Sequence, residues 1–196
     1  MARAILVLMA LGVAACAALG PALTPVQEAE LSQVQALVDG AARAYRLGSV
    51  PVVVGPVVGA VAAYRQGTIL VDPDLLGSPH RDAVIAHELG HAVLGHGHQP
   101  TGFTDRAATL GEWARLAMPR ELDANAKSVE ILTRVKGWPE ATSLRIVAEK
   151  LRSVVRAQQR GAPVGLGHLP ACEELRDLLA RFPPHQARFA GWNCPA

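Results

Sequence analysis

Two histidines four residues apart, with a glutamate beside the first, stand out in this chain as residues whose types and spacing could do chemistry: His87-Glu88-Leu89-Gly90-His91. On a helix, positions i and i+4 project from one face, so the two imidazoles stand close enough to share a metal ion. Imidazole nitrogen suits zinc, and a carboxylate next to the first ligand can reach a water on that metal. Zinc lowers the pKa of such a water toward ~7, and removal of its proton leaves a nucleophile able to attack a carbonyl. The expected chemistry is hydrolysis of a peptide bond, with His87 and His91 as ligands to Zn2+ and Glu88 as the general base.

Two histidines do not complete a zinc site, so a third ligand is needed. The metzincin spacing would require glycine at position 94 and histidine at 97, where this chain has Leu94 and Gly97. His96 and His98 are instead read as solvent-facing residues near a helix end, where a cation suits the helix dipole. A carboxylate from a later helix is the other solution. Glu121-Leu122-Asp123-Ala124-Asn125 follows Pro119, and Asn125 lies one turn beyond Glu121 on the same helical face, placed to orient a ligand by hydrogen bonding.

With these two segments the chain resembles HExxH metallopeptidases of the ImmA/IrrE type, in which HELGH is followed within a few tens of residues by a Glu-x-x-Ala-Asn helix. It is similar, less closely, to the HtpX type, which carries Glu-x-x-Ala-Asp much further along. The resemblance implies that Glu121 is the third zinc ligand; Ala124 matches both families and Asn125 the first. The interval of 30 residues from His91 to Glu121 also suits the ImmA/IrrE type. The likeness covers Val84 to Leu132. Lys127 stands where that family usually has an aromatic, and the family's partnership with DNA-bound repressors is not carried over. Peptide hydrolysis also needs a donor for the oxyanion of the tetrahedral intermediate. His168, in Gly165-Leu166-Gly167-His168-Leu169-Pro170, is the candidate, loosely similar to a histidine-proline segment of HtpX-type enzymes; a plain loop histidine is the alternative.

The elements that must position these residues can be read from periodicity and turn residues. Thr24-Pro25-Val26-Gln27 opens a helix to about Leu47, with Val26, Val34, Leu37, Val38, Ala41 and Tyr45 at helical spacing. Short β-rich runs follow at 50–54, 57–64 and 68–71, separated by Gly55-Pro56 and Gln66-Gly67. Ser78-Pro79 opens the metal-binding helix, which stops near Gly95. Further helices are expected at 104–118, ended by Pro119, then at 120–136, 138–160 and 171–182. The fold class expected is α+β: a predominantly helical, zincin-like domain with a small, mostly antiparallel sheet. Strand 68–71, directly before the metal helix, is the expected edge for pairing with an extended peptide.

Composition narrows the function classes. The chain has 196 residues, half of them hydrophobic, 18% charged, with a formal net charge of +2. These values suit a globular domain and exclude a strongly basic nucleic-acid-binding face. Residues 1–16 read as a separate export segment, with Arg3 before an apolar run from Ala4 to Ala15, and 17–196 as one domain. Val13-Ala14-Ala15-Cys16 resembles a bacterial lipobox, so Cys16 is read as lipidated, anchoring the protein at the membrane of the cell envelope and facing the periplasm; an ordinary cleaved signal is the alternative. Cys172 and Cys194 remain, and in an oxidising compartment they could pair, stabilising the fold by about 3 kcal/mol. The partner expected is a protein or peptide substrate. Two other classes stay open: a non-catalytic zinc-binding lipoprotein that holds misfolded or partner proteins, and an amidase acting on a non-protein amide.

Overall fold

The computed structural model describes residues 22–57, 59–96, 110–164 and 169–192, without the side chains of 110–116. Its first helix, α1 (Pro25–Tyr45), starts as its sequence requires. The Thr24 hydroxyl accepts from the Gln27 N–H at 3.2 Å, and the Gln27 side chain returns the bond to the Thr24 N–H at 3.0 Å. Val34, Leu37, Val38 and Ala41 form its buried face. Val26 does not belong to that face: it is 69% exposed.

Three short strands follow: β1 (Val52–Val54), β2 (Ala62–Arg65) and β3 (Thr68–Val71), in the order β1-β3-β2. β2 and β3 form an antiparallel hairpin, whose two-residue turn Gln66-Gly67 has both φ angles positive, at 48° and 83°. β1 runs parallel to β3. The sheet is therefore mixed and not mostly antiparallel, because the hairpin returns β3 between two outer strands that run in opposite directions. β2 is also shorter than the run 57–64, since Gly59 turns the chain at φ 76° before Ala62. β3 is the central strand, paired on both sides, so it cannot accept an added strand; the outer strand packed against the helix of His87 and His91 is β2.

After a single turn, α2 (Pro73–Leu76), comes α3 (Arg81–Val93), which carries both histidines. Ile85, Ala86 and Leu89 are fully buried, so α3 runs through the middle of the core. Its start is fastened from two sides. Arg81 pairs with Glu30 and also bonds Gln33 of α1 at 3.0 Å, while Asp82 accepts from Lys136 at 2.9 Å. Burial would raise the Asp82 carboxyl pKa, but Lys136 and Arg81 outweigh it and hold the group below its ordinary value. A cavity lined by Val26, Glu30, Arg81, Asp82 and Trp138 lies at this end of α3, and Arg81 pairs there with both Glu30 and Asp82.

The next helix, α4 (Leu110–Lys136), is continuous through Pro119 where the sequence suggested two helices. Proline removes one backbone donor but need not end a helix that packing holds. Val129, Ile131 and Leu132, buried beyond the proline, supply packing of that kind. Gly137, at φ 68°, ends α4, and α5 (Glu140–Gln159), α6 (Ala171–Ala180) and a 3₁₀ turn (Pro183–Phe189) complete the layer. The architecture is α+β and mostly helical. Among the described residues no helix is long and apolar enough to cross a membrane.

Candidate metal centre

His87 and His91 project from one face of α3, their ring centroids 4.8 Å apart and nearly perpendicular. The Lys136–Asp82 pair joins the end of α4 to the start of α3, so the two helices run antiparallel. They approach most closely at Gly90 and Ala124: a Cβ built on Gly90 would lie 2.8 Å from the Ala124 carbonyl oxygen. That crossing brings Glu121 and Asn125, each within one turn of Ala124, over the imidazoles.

His87 Nε2 lies 3.0 Å from Glu121 Oε2, His91 Nε2 lies 3.4 Å from Glu121 Oε1, and the two Nε2 atoms are 3.2 Å apart. Ligands bound about 2.0–2.1 Å from a tetrahedral centre are separated from one another by about 3.3 Å. The spacing fits, and the three side chains form a group that could hold a metal ion. Glu121 lies about three turns inside α4, not at its first turn. The helix dipole therefore does not account for an acid there.

The electrostatics favour the ligating forms. Burial pushes the His87 pKa below its ordinary value of 6.5, as does Lys150, outweighing the upward pull of Glu121 and Glu88. The imidazole is thus neutral, the form that binds metal. Burial acts the other way on Glu121, but the two imidazoles that face it hold its carboxyl well below the usual range, so it stays ionised.

Glu88 reaches the sheet with one of its two oxygens. Its Oε2 accepts the main-chain N–H of Tyr64, on β2, at 2.7 Å, while its charge is still felt at His87. In this hairpin Tyr64 pairs with Ile69 next to the turn-closing Arg65–Thr68 pair, so the Tyr64 N–H faces away from β3 toward the open edge. The candidate base is anchored to the outer strand of the sheet.

Asn125 is buried, 1% exposed, with Oδ1 2.9 Å from His87 Nδ1, as its helical phase suggested. Its Nδ2 donates to Glu174 Oε2 of α6 at 3.1 Å. Glu174 escaped the sequence reading, yet a signal existed: it is the polar member of the stripe Ala171, Glu174, Leu175, Leu178, the buried face of α6. His96 was also misjudged. The left-handed turn at Gly95 folds it back, leaving its Nδ1 3.0 Å from His91 Nδ1 and the residue only partly exposed. Cys172 is disulfide-bonded. Cys16, Cys194, His98 and His168 lie outside the described residues, so the lipid anchor, the pairing with Cys194 and the oxyanion donor have no structural counterpart to compare. No family model, curated protein or solved structure matches the chain.

Proposed function

We propose that this protein is a zinc-dependent endopeptidase of the bacterial cell envelope, tethered through Cys16, that cleaves extended or unfolded protein substrates. The observation that carries the proposal is the convergence of His87 Nε2, His91 Nε2 and the Glu121 carboxylate within 3.4 Å, with a second carboxylate, Glu88, next to the first ligand in sequence. Two imidazoles and one carboxylate are a donor set that suits zinc and is typical of catalytic sites with three protein ligands. The resemblance to ImmA/IrrE-type peptidases rests on these residues and on Ala124 and Asn125.

Bound zinc would supply Lewis acidity toward water and the substrate carbonyl. The chain's residues do the rest. His87, His91 and Glu121 hold the ion, and Asn125 orients His87. Glu88 takes the proton of the attacking water and returns it to the leaving amine. The outer edge of β2 suits an extended peptide, since Ala62 and Tyr64 belong to pairs whose main-chain groups face away from β3, and of these the Tyr64 N–H is held by Glu88. A peptide added there would run beside Glu88, which is why a peptide is favoured over other amides.

The test separates the two glutamates. Purified protein should carry about one zinc per chain and cleave a fluorogenic peptide mixture. Glu88→Gln should keep the zinc while turnover falls by at least ~10²-fold. Glu121→Ala should lose zinc affinity by more than the ~10–100-fold typical of an outer partner. Zinc-loaded wild type with no hydrolysis of any peptide would favour the zinc-binding lipoprotein instead.

A further inference from the structure

Glu174 is a carboxylate at 3% exposure that takes no part in the reaction proposed above, and burying such a charge costs several kcal/mol unless it is well paired. One of its partners is Asn125, and Asn125 in turn touches His87. We infer that Glu174 is a positioning residue that fixes, through the Asn125 amide, which nitrogen of His87 is free to bind metal. The inference rests on the metal reading of the His87–His91–Glu121 group.

The argument is one of direction. A side-chain amide has a donor end and an acceptor end, and at 1% exposure neither end of Asn125 can turn to water. Glu174 Oε2 accepts from the Nδ2 end, which leaves Oδ1 facing His87 at 2.9 Å. Oδ1 only accepts. His87 must therefore carry its proton on Nδ1, and its Nε2 presents a lone pair toward His91 and Glu121.

Without that constraint a competing arrangement is available. If the amide turned over, Nδ2 would donate to His87 Nδ1 and the proton would move to Nε2. From there it would be donated to Glu121 Oε2, already only 3.0 Å away. Both ring nitrogens of His87 would then be satisfied, but imidazole and carboxylate would be bonded to each other and closed to the ion. Glu174 opposes that state, because the turned amide would aim Oδ1 at a carboxylate. The choice between the two arrangements is made on α6, two hydrogen bonds from the metal.

Glu174→Gln tests the direction while keeping size and hydrogen bonding, since a glutamine can meet the Asn125 amide either way round. With His87 assigned, nitrogen-15 spectra of the metal-free protein, taken well above the imidazole's ordinary pKa, should show Nδ1 protonated in wild type. Glu174→Gln should show a mixture of tautomers or the reverse. Zinc affinity, from competition with a chromophoric chelator, should fall by about 10-fold in Glu174→Gln. In an Asn125→Ala background the same substitution should change affinity little, because its route to His87 is gone. A wild-type His87 protonated on Nε2, or an undiminished effect of Glu174→Gln in that background, would overturn the inference. Failure of wild type to bind zinc would instead overturn the metal reading, and the tautomer measurement, made without metal, would still decide the role of Glu174.

Discussion

Gly90 offers a perturbation whose size can be worked out in advance. An alanine methyl there would sit 2.8 Å from the Ala124 carbonyl oxygen and 3.1 Å from its Cα, both backbone atoms that no rotamer change can move. Contacts of this kind settle near 3.5 Å, so α3 and α4 must part by roughly 0.5 Å or more. The two imidazoles stay together on α3, but both separations to Glu121, 3.0 and 3.4 Å, widen by a similar amount. Overpacking costs about 1–3 kcal/mol, and the better helix propensity of alanine returns about 1 kcal/mol, so Gly90→Ala should remain folded. Its zinc affinity should drop at least ~10-fold, because catalytic and metal constellations tolerate displacements of only about 0.5 Å. Chelator competition measures the affinity, and urea unfolding of the metal-free protein measures the stability. Wild-type affinity in a folded Gly90→Ala protein would refute the claim that this helix crossing sets the site.

The metal-free protein should lose stability as pH falls below about 6.5: the depressed His87 pKa means the unfolded chain takes up a proton that the folded one resists. Urea midpoints across that window should show the trend, and His87→Ala should remove its share. At lower pH, stability should fall again as Glu121, ionised well below the ordinary carboxylate range in the folded state, is finally protonated. His96→Ala should weaken zinc binding about 10-fold, since His91 loses the partner on its Nδ1, while Glu88→Gln activity losses remain independent of it. In a bacterial host the protein should incorporate labelled fatty acid and Cys16→Ser should not; efficient release of soluble mature wild type would support the ordinary cleaved signal.

How much of this was legible in the sequence differs by element. Helices with a cap and a buried stripe, such as α1, could be read almost to the residue, because local hydrogen bonds and one packed face decide them. The pair His87–His91 and the phase of Glu121 and Asn125 were legible for the same reason, as helical periodicity alone puts each set on one face. Three things were not. Pro119 looked like a terminus because its local rule is strong, yet α4 runs through it, with its buried residues beyond the proline. The order of three short strands depends on where a hairpin docks, which no strand encodes by itself, so β3 was taken for an edge. Glu174 lies 87 residues from His87, and its contact follows from how α6 lies against α4, not from anything near either residue.

The placement of Glu88 has a consequence for how this site could be altered or lost. In the proposed peptidase the base, Glu88, is tied to β2 through Tyr64, whereas His87 meets Glu121 of α4, so the two halves of the chemistry would lean on different parts of the fold. A change in the β2–β3 hairpin would misdirect proton transfer and leave the ion in place. A change along the inner face of α4 would release the ion and leave the base where it was. On that reading turnover and metal retention are separable traits, open to independent adjustment by mutation. A descendant stripped of Glu88 alone would keep its fold and its ion, trading catalysis for a purely binding role in one step.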